Sequence, residues 1–244
     1  MRILVISDIH ANLTALEAVL AAATDFEVTW CLGDLVGYGP DPNECINRVR
    51  HLPNLKCVIG NHDAAVLMQI DADTFNPEAR SALLWTRKEI SEDTRQFLQG
   101  LPERVVIEEL GMTLVHASPR HPVWEYLLDA NTATANFKYF DTPWCLVGHT
   151  HLPVIFSLES AQHFARLSVP RANQAVKLPE RSILNPGSVG QPRDRDPRAA
   201  YAIFDSEQKT WENLRIPYDI PAVQARMQKL NLPERHILRL AGGW

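Results

Sequence analysis

Two histidines, His149 and His151, stand one residue apart just after the apolar run Trp144–Val147. A buried strand has no use for two imidazoles at its tip unless they bind something, because burying an unpaired polar group costs free energy. Imidazole is also the commonest metal ligand among side chains. The pair therefore makes a metal site the first hypothesis for this part of the chain.

The same pattern, a short aliphatic run followed at once by a possible ligand, occurs at four other places. Taken singly, each occurrence is ordinary, because an Asp, Asn or His after a strand is usually only a turn residue or a satisfied polar group. Five occurrences in one chain are hard to explain as independent turns. They predict one shared site with seven candidate ligands: Asp8, His10, Asp34, Asn61, His116, His149 and His151.

The chemistry of these ligands narrows the metal. Carboxylate, imidazole and carboxamide groups without a thiolate suit Mn²⁺, which is the first candidate, or Fe, Zn²⁺, Ni²⁺ or Co²⁺. Seven side chains are too many for one ion and predict two divalent ions, about 3.5–4 Å apart, that share a carboxylate. Such a pair clamps phosphate oxygens and lowers the pKa of water, as phosphoester hydrolysis requires. His62 directly follows a ligand and is free to protonate the leaving oxygen as a general acid.

The elements that must position these residues follow from the same runs. Ile3–Ile6 and the runs that end at Leu32 and Ile59 are typical of buried strands, with helical patterns over 11–23 and 41–50 between them. Asp41 is the expected N-cap of the second helix. The intervals between the first three ligand sites are 26 and 27 residues, about the length of a βαβ unit. Repeated βαβ units form parallel strands, whose carboxyl ends gather ligands.

The rest of the chain is predicted to complete a single domain over 1–244. Residues 64–103 have helical patterns, with Asn76 and Ser91 as N-caps, and could overhang the site as a helical, lid-like insertion. After His151 the sequence pattern is typical of strands and hairpins. No linker, low-complexity tract or internal repeat divides the chain, so we expect one domain.

Composition excludes several classes of function. The net charge of −5 provides no basic field for polymeric nucleic acid, which is therefore an unlikely partner. The apolar runs are shorter than the roughly 18 residues of a membrane span, so no membrane association is expected. The cysteines show no paired spacing and are expected to be reduced thiols of a cytoplasmic protein; they are Cys31, Cys45, Cys57 and Cys145.

In order, the motifs DIH, GD, GNHD, a lone strand-end His and GHTH resemble those of the calcineurin-like metallophosphoesterases, from Arg2 to about Asp205. The resemblance implies an α/β fold, a four-layer α/β/β/α sandwich, with a dinuclear centre at the sheet edges. By motif position it implies one metal bound by four residues: Asp8, His10, Asp34 and His151. It further implies that Asp34 bridges to a second metal completed by Asn61, His116 and His149. The general-acid role falls to His62.

Two departures bear on the branch of this family. Its protein Ser/Thr phosphatases carry Asp-Arg-Gly after the GD motif, whereas Gly37 and Tyr38 stand here, and the third motif is GNHD instead of GNHE. A protein phosphatase is therefore disfavoured. The pattern is similar to that of small bacterial and archaeal phosphoesterases, several of which act on phosphodiesters, model aryl esters or dinucleoside polyphosphates.

Three residues are candidates for substrate contact. Tyr38, just past the expected bridging aspartate, could stack on or hydrogen-bond a leaving group, or simply pack within its loop. Arg120 lies near His116 in sequence and could meet phosphate. Arg193, in the turn-rich loop 185–198, could supply positive charge, although the alternating Arg and Asp of this loop also suit a self-paired, solvated segment.

Three further residues have structural explanations that compete with functional ones. Asn12 fits a role in orienting a metal ligand, but a helix N-cap explains it nearly as well. Trp85 and Trp124 are expected to be core residues rather than platforms on which a base could stack.

The function that these features favour is hydrolysis of phosphodiester or nucleotide-type phosphate bonds in a small phosphate-containing substrate, such as a nucleotide. The alternatives are a phosphomonoesterase and a dinucleoside polyphosphate hydrolase. A non-catalytic scaffold is disfavoured because all seven ligands and His62 are present. A nuclease is disfavoured because the chain lacks a basic stripe.

Overall fold

The apolar runs of the sequence form two six-stranded sheets in the computed structural model, which describes residues 1–244. The first sheet combines the amino-terminal strands with strands from the carboxyl-terminal third. In spatial order it contains β3 (Lys56–Cys57), β2 (Val28–Cys31), β1 (Arg2–Ile6), β11 (Ala199–Asp205), β12 (Thr210–Ile216) and β9 (Gln174–Lys177). β1, β2 and β3 are parallel, and the other three strands pair antiparallel.

The second sheet is drawn from the middle of the chain. In spatial order it contains β4 (Arg104–Ile107), β5 (Met112–Val115), β6 (Trp144–Leu146), β10 (Ser182–Asn185), β7 (Val154–Ser157) and β8 (Arg166–Ser168). β5, β6 and β10 are parallel neighbours, and the remaining pairs are antiparallel. Each sheet therefore has a parallel part, which is the part that ends at the candidate ligands.

Eight α-helices connect or follow the strands. They are α1 (Leu13–Ala22), α2 (Pro42–Val49), α3 (Asn61–Val66), α4 (Pro77–Glu89), α5 (Glu92–Gln99), α6 (Ala130–Asn136), α7 (Ile220–Lys229) and α8 (Glu234–Gly242). Segment 64–103 contains the end of α3 and the whole of α4 and α5, and Asn76 and Ser91 cap α4 and α5 through their side chains. That this segment acts as a lid stays a prediction.

The burial of β1 shows how the layers form. Ile3 and Val5 pack in a core with apolar residues of both sheets, whereas Leu4 and Ile6 pack on the other face against α1 and α2. A strand with both faces covered needs a continuous apolar run, which is what the sequence has. A third core joins the outer face of the second sheet to α6. The expected four-layer α/β/β/α sandwich is confirmed.

Two local details differ from the sequence prediction. β3 spans two residues and stops before Ile59, the expected end of that strand. Asp41 occupies the N-cap position of α2, but its side chain does not cap that helix. Its carboxylate instead accepts hydrogen bonds from Arg226 of α7, at 2.8 Å, and from the backbone of Leu13, at 3.4 Å. Asp41 thereby ties the carboxyl-terminal helices to the first sheet's helical layer.

All four cysteines are buried and free, as predicted. None of the helices combines the length and apolarity that crossing a bilayer would need.

Candidate metal centre

All seven predicted ligands meet at one rim where the parallel strands of both sheets end. Asp8 and His10 follow β1, Asp34 follows β2, and Asn61 opens α3 just after β3. His116 follows β5 in the second sheet, and His149 and His151 follow β6. None of the seven side chains is more than 3% exposed, so the cluster is inside the protein.

The backbone of the ligand loops is strained. Five ligands have positive φ angles between 49° and 63°, a region that residues other than glycine rarely adopt; they are Asp8, His10, Asp34, His149 and His151. Each such conformation costs on the order of 1–3 kcal/mol and persists where surrounding structure enforces it. Hydrogen bonds between the loops supply that enforcement: the backbone N–H of His10 donates to Asp34 O at 2.9 Å, and that of His149 donates to Asp8 Oδ2 at 3.1 Å.

One half of the cluster is formed by Asp8, His10 and His151. Their ligand atoms all lie within 4.8 Å of one another. His10 Nε2 is 3.1 Å from His151 Nε2, and Asp8 Oδ1 is 3.3 Å from His151 Nε2. Two nitrogen ligands about 2.0–2.1 Å from one tetrahedral ion lie about 3.3 Å apart, so this spacing fits a shared cation.

Asp34 joins this half to a second one. Its Oδ2 lies 3.6 Å from His10 Nε2 and 3.4 Å from His116 Nε2. Asp34, His116 and His149 form another group of ligand atoms within 4.8 Å, and Asn61 Oδ1 lies 3.0 Å from His116 Nε2. The Nε2 of His149 is buried without any hydrogen-bond partner. A metal ion at this position would provide that nitrogen with a partner.

Three imidazoles are held by backbone carbonyls on the side away from the centre. The Nδ1 atoms of His10, His116 and His151 lie 3.2, 2.7 and 2.5 Å from the carbonyl oxygens of Val36, Leu32 and Gln191. A carbonyl accepts only, so each Nδ1 carries the hydrogen, and in the neutral form of each ring a bare Nε2 faces the centre. Metal-bound histidines characteristically have this arrangement.

The electrostatics of the cluster favour a bound cation. Burial raises the pKa of Asp8 to about 7. Burial would also raise the pKa of Asp34, but His116 and His62 outweigh it and hold that pKa well below its ordinary value. Burial lowers the pKa of His10, His149 and His151 well below the usual range, which keeps these rings in the neutral, metal-binding form. Divalent ions would supply the countercharge that two buried carboxylates need.

His62 lies against this cluster. Its backbone N–H donates to Asp34 Oδ1 at 2.9 Å, and its ring nitrogen groups with ligand atoms of His10 and Asp34 within 4.8 Å. Its Nδ1 is buried and makes no hydrogen bond. A β-carbon on Gly37 would lie 2.6 Å from that nitrogen, so a glycine is needed there for the ring to fit.

Asp63, the last residue of GNHD, has a structural function that the sequence analysis did not assign. Its carboxylate accepts hydrogen bonds from the backbone N–H groups of Gly60, at 3.0 Å, and Val36, at 3.1 Å. It therefore fixes the Asn61 loop to the Asp34 loop. Asn12, a candidate for orienting a ligand, caps α1 through Oδ1 and donates through Nδ2 to Gly190 O at 3.0 Å. Neither of these hydrogen bonds involves a ligand side chain.

The three candidate substrate residues have different surroundings. The Tyr38 ring packs against those of His10 and His62, with centroids 4.6 and 4.4 Å apart. Arg193 lies beside it, with Nη2 3.5 Å from the Tyr38 hydroxyl and a buried Nε without a partner. Arg120 instead forms an ion pair with Glu125. The structure thus puts Tyr38 and Arg193 beside the centre and gives Arg120 another partner.

Four residues near the centre were not predicted there. Trp124 was expected in the core but is 38% exposed, and Tyr126 is 47% exposed, with both rings against His149. Phe75 contacts the ring of His62, and His236 of α8 packs on Tyr38. Trp85 packs against the core of the α7–α8 hairpin, in agreement with its prediction. No spacing pattern in the sequence marks the four, because each comes from a loop or helix outside the five motifs.

Comparisons with known proteins agree with this geometry. An uncharacterized protein of Methanocaldococcus jannaschii is 41% identical over 239 residues, which cover 95% of this chain and 94% of that one. The crystal structure of a metallophosphoesterase from Sphaerobacter thermophilus is 46% identical and superimposes with a TM-score of 0.90 over 100% of this chain and 99% of that one. A hypothetical protein from Pyrococcus horikoshii shares the fold at 22% identity, with a TM-score of 0.82 and coverage of 100% and 98%.

A more distant relative has a named activity. The symmetrical bis(5'-nucleosyl)-tetraphosphatase of Pectobacterium atrosepticum is 30% identical over 125 residues, which are 49% of this chain and 44% of that enzyme. The family model described as the calcineurin-like phosphoesterase superfamily domain matches residues 1–209, a range that contains all five motifs and every strand except β12. Because this family model matches most of the chain, the chain belongs to the calcineurin-like phosphoesterase superfamily.

Proposed function

We propose that this protein is a phosphoesterase that uses two divalent transition-metal ions to hydrolyse phosphodiester or nucleotide-type phosphate bonds. The observation that carries the proposal is the position of Asp34, whose Oδ2 lies within 3.6 Å of ligand nitrogens from both halves of the cluster. A carboxylate placed in this way fits a bridge between two ions. Mn²⁺ is the first candidate, and Fe, Zn²⁺, Ni²⁺ and Co²⁺ suit the same ligands.

Four side chains would hold the first ion and four the second, with Asp34 common to both. The first set is Asp8, His10, Asp34 and His151, and the second is Asp34, Asn61, His116 and His149. When bound, the pair would neutralise charge on the phosphate and lower the pKa of water. The strained, hydrogen-bonded loops keep the ligands in place before substrate arrives, which reduces the reorganisation that the reaction requires.

His62 is proposed to protonate the leaving oxygen. Its ring lies beside both halves of the cluster, and burial lowers its pKa to about 4. A proton on such a ring is readily given up, and an anionic substrate beside it would favour the protonated form. Tyr38 holds the ring from one side, so this tyrosine is proposed to position the acid. Arg193, beside Tyr38, is proposed to contact phosphate oxygens.

A second candidate function, hydrolysis of dinucleoside polyphosphates, is favoured by the tetraphosphatase relative. It uses the same centre and the same acid, and it differs in cleaving an anhydride instead of an ester. Cytoplasmic activity on a small phosphate compound remains part of the proposal in both cases.

The test is a substrate panel with the purified protein, loaded in turn with Mn²⁺, Ni²⁺, Co²⁺ and Mg²⁺. We expect bis-p-nitrophenyl phosphate or a dinucleoside polyphosphate to be cleaved faster than p-nitrophenyl phosphate. Asp34→Asn, which keeps the shape but removes the bridging charge, should lose metal and activity together. Faster cleavage of the monoester would favour a phosphomonoesterase. An Asp34→Asn protein as active as the wild type would contradict the metal mechanism.

A further inference from the structure

Two aromatic rings that lie beside the metal centre remain exposed. Trp124 and Tyr126 are 38% and 47% exposed, although large aromatic side chains are usually mostly buried. Both belong to the segment between β5 and α6, and neither is part of the five ligand motifs. Exposed apolar surface next to a polar site commonly marks a place where a ligand binds.

The rings are in contact with the centre itself. Tyr126 lies over His149 with a centroid distance of 4.0 Å and an interplanar angle of 31°, and Trp124 lies 6.2 Å from the same imidazole. Phe75 links Trp124 to the acid, with centroids 5.0 Å from both Trp124 and His62. A nucleotide whose phosphate is held at the centre would therefore have the rings of Trp124 and Tyr126 beside it.

The segment that carries the two exposed rings is fixed by hydrogen bonds. Glu125, between them in sequence, points inward and forms an ion pair with Arg120, with Arg120 Nε 3.1 Å from Glu125 Oε1. Its Oε2 also accepts hydrogen bonds from Ser118 Oγ at 2.7 Å and Asn136 Nδ2 at 2.8 Å. Because these contacts fix Glu125, they also fix the backbone that carries its exposed neighbours Trp124 and Tyr126. Such pre-organisation reduces the entropy that binding would cost.

We propose that Trp124 and Tyr126 form a stacking platform for the nucleobase of a nucleotide substrate. The inference rests on the proposed function, because the platform is useful only if a phosphate binds at the adjacent centre. A base suits this surface because it offers a flat π-face to exposed rings, while Arg193, which lies beside Tyr38, is available to the phosphate. The platform would select nucleotides over phosphates that carry only a sugar.

The experiment compares two probes that differ only in the base. Adenosine 5'-monophosphate and ribose 5-phosphate are titrated into the Mn²⁺-loaded protein by calorimetry, with tryptophan fluorescence as a second readout. We expect the wild-type protein to bind the nucleotide about tenfold more tightly than the sugar phosphate, which is the usual contribution of one stacked base. We also expect the nucleotide alone to quench fluorescence. Equal affinities for the two probes would overturn the proposal.

Single substitutions show which side chains provide the preference for the nucleotide over ribose 5-phosphate. Trp124→Leu and Tyr126→Leu should each lose most of the nucleotide preference and keep the affinity for ribose 5-phosphate, whereas Tyr126→Phe, which retains the ring, should keep both. Phe164→Leu removes an aromatic ring that is 67% exposed in the hairpin between β7 and β8, and it should change neither affinity. Equal loss of both probes in the leucine variants would show a structural role and contradict the platform.

Failure of the stacking platform and failure of the proposed phosphoesterase activity give different results. A protein that hydrolyses esters with metal but binds the two probes equally would refute the platform and leave the phosphoesterase intact. A protein that prefers the nucleotide but cleaves no phosphate bond under any metal would refute the phosphoesterase. The metal content of every variant is measured, so that loss of metal is not mistaken for loss of stacking.

Discussion

His10 and His151 face each other through their Nε2 atoms, which are 3.1 Å apart. The Nδ1 of each ring is already committed to a backbone carbonyl, that of Val36 for His10 and that of Gln191 for His151. In the neutral tautomers fixed by these contacts, both facing nitrogens are acceptors and neither can donate to the other. Two bare nitrogens that face each other repel, and a cation between them would remove the repulsion.

Metal binding should consequently stabilise the fold. At a free Mn²⁺ concentration 100 times the dissociation constant, the gain in the free energy of unfolding is about 2.7 kcal/mol. For a chain of this length that corresponds to a rise in Tm of roughly 5–10 °C. His151→Ala removes one ligand, so its Tm should rise less with Mn²⁺ than the wild-type Tm does, each measured relative to the same protein without metal. Thermal melts with EDTA and with Mn²⁺ test this, and an undiminished rise in the variant would contradict it.

The positions of the seven ligands could be predicted from sequence because the rule behind them is topological. Parallel strands end at the same edge, so residues that follow such strands converge whatever the details of the intervening helices. Asp8 and Asp34 needed only the strand pattern and the spacing between units. This convergence does not depend on the length of a strand: β3 is shorter than predicted, and Asn61 Oδ1 still lies 3.0 Å from His116 Nε2.

Residues outside that rule could not be placed from sequence. Arg120 is close to His116 along the chain, but its partner is Glu125, and only the folded loop decides between that carboxylate and a phosphate. No periodic pattern around Trp124 distinguishes a buried core position from an exposed position beside the metal centre. Asp41 is an ordinary helix N-cap by sequence, yet its carboxylate binds Arg226, 185 residues away. Each outcome depends on contacts between distant segments, which local patterns do not encode.

The GNHD loop offers a sharp test of how closely the backbone approaches the ligands. A β-carbon on Gly60 would overlap Asp34 Oδ1 and the Asp34 backbone nitrogen. Gly60→Ala should therefore displace the carboxylate and abolish tight metal binding, with a loss of stability on the order of 1–3 kcal/mol from overpacking. Metal content and urea unfolding measure the two effects.

Gly100→Ala is the matched control for this substitution. Gly100 ends α5 with right-handed helical backbone angles, and the nearest atom to an added β-carbon is 3.5 Å away, an ordinary contact. This variant should retain its metal and the wild-type stability within about 0.5 kcal/mol. Similar behaviour of the two alanine variants would mean that the close approach at Gly60 does not constrain the site.

The acid role of His62 predicts a dependence on the leaving group. His62→Ala should lower kcat roughly 100- to 10,000-fold for a diester with a poor, alcohol-like leaving group, because that oxygen needs a proton as the bond breaks. The loss should be much smaller for p-nitrophenolate, which leaves readily as an anion. Metal content should stay at the wild-type level. Equal losses for the two leaving groups would exclude proton donation by His62.

The hydrogen bonds that fix Glu125, between Trp124 and Tyr126, predict a contribution to the free energy of unfolding that is lost in acid. Burial alone would raise the pKa of Glu125, but hydrogen bonds from Arg120, Ser118 and Asn136 outweigh it and lower the pKa to about 2. Because the folded pKa lies below the ordinary one, the stabilisation is complete above about pH 5 and is lost as the pH falls toward 2. A shift of this size corresponds to about 3 kcal/mol at neutral pH, as an upper bound for one group.

Glu125→Gln should therefore lower the free energy of unfolding by about 1–3 kcal/mol at pH 7, and the difference from wild type should shrink steadily below pH 4. Urea unfolding at pH 7, 5, 4 and 3 measures it, with Glu103→Gln as the control because Glu103 is exposed and makes no ion pair. The control should follow the wild type at every pH. A constant difference for Glu125→Gln across this range would mean that the carboxylate's charge does not hold the loop, and that packing around Trp124 and Tyr126 fixes it instead.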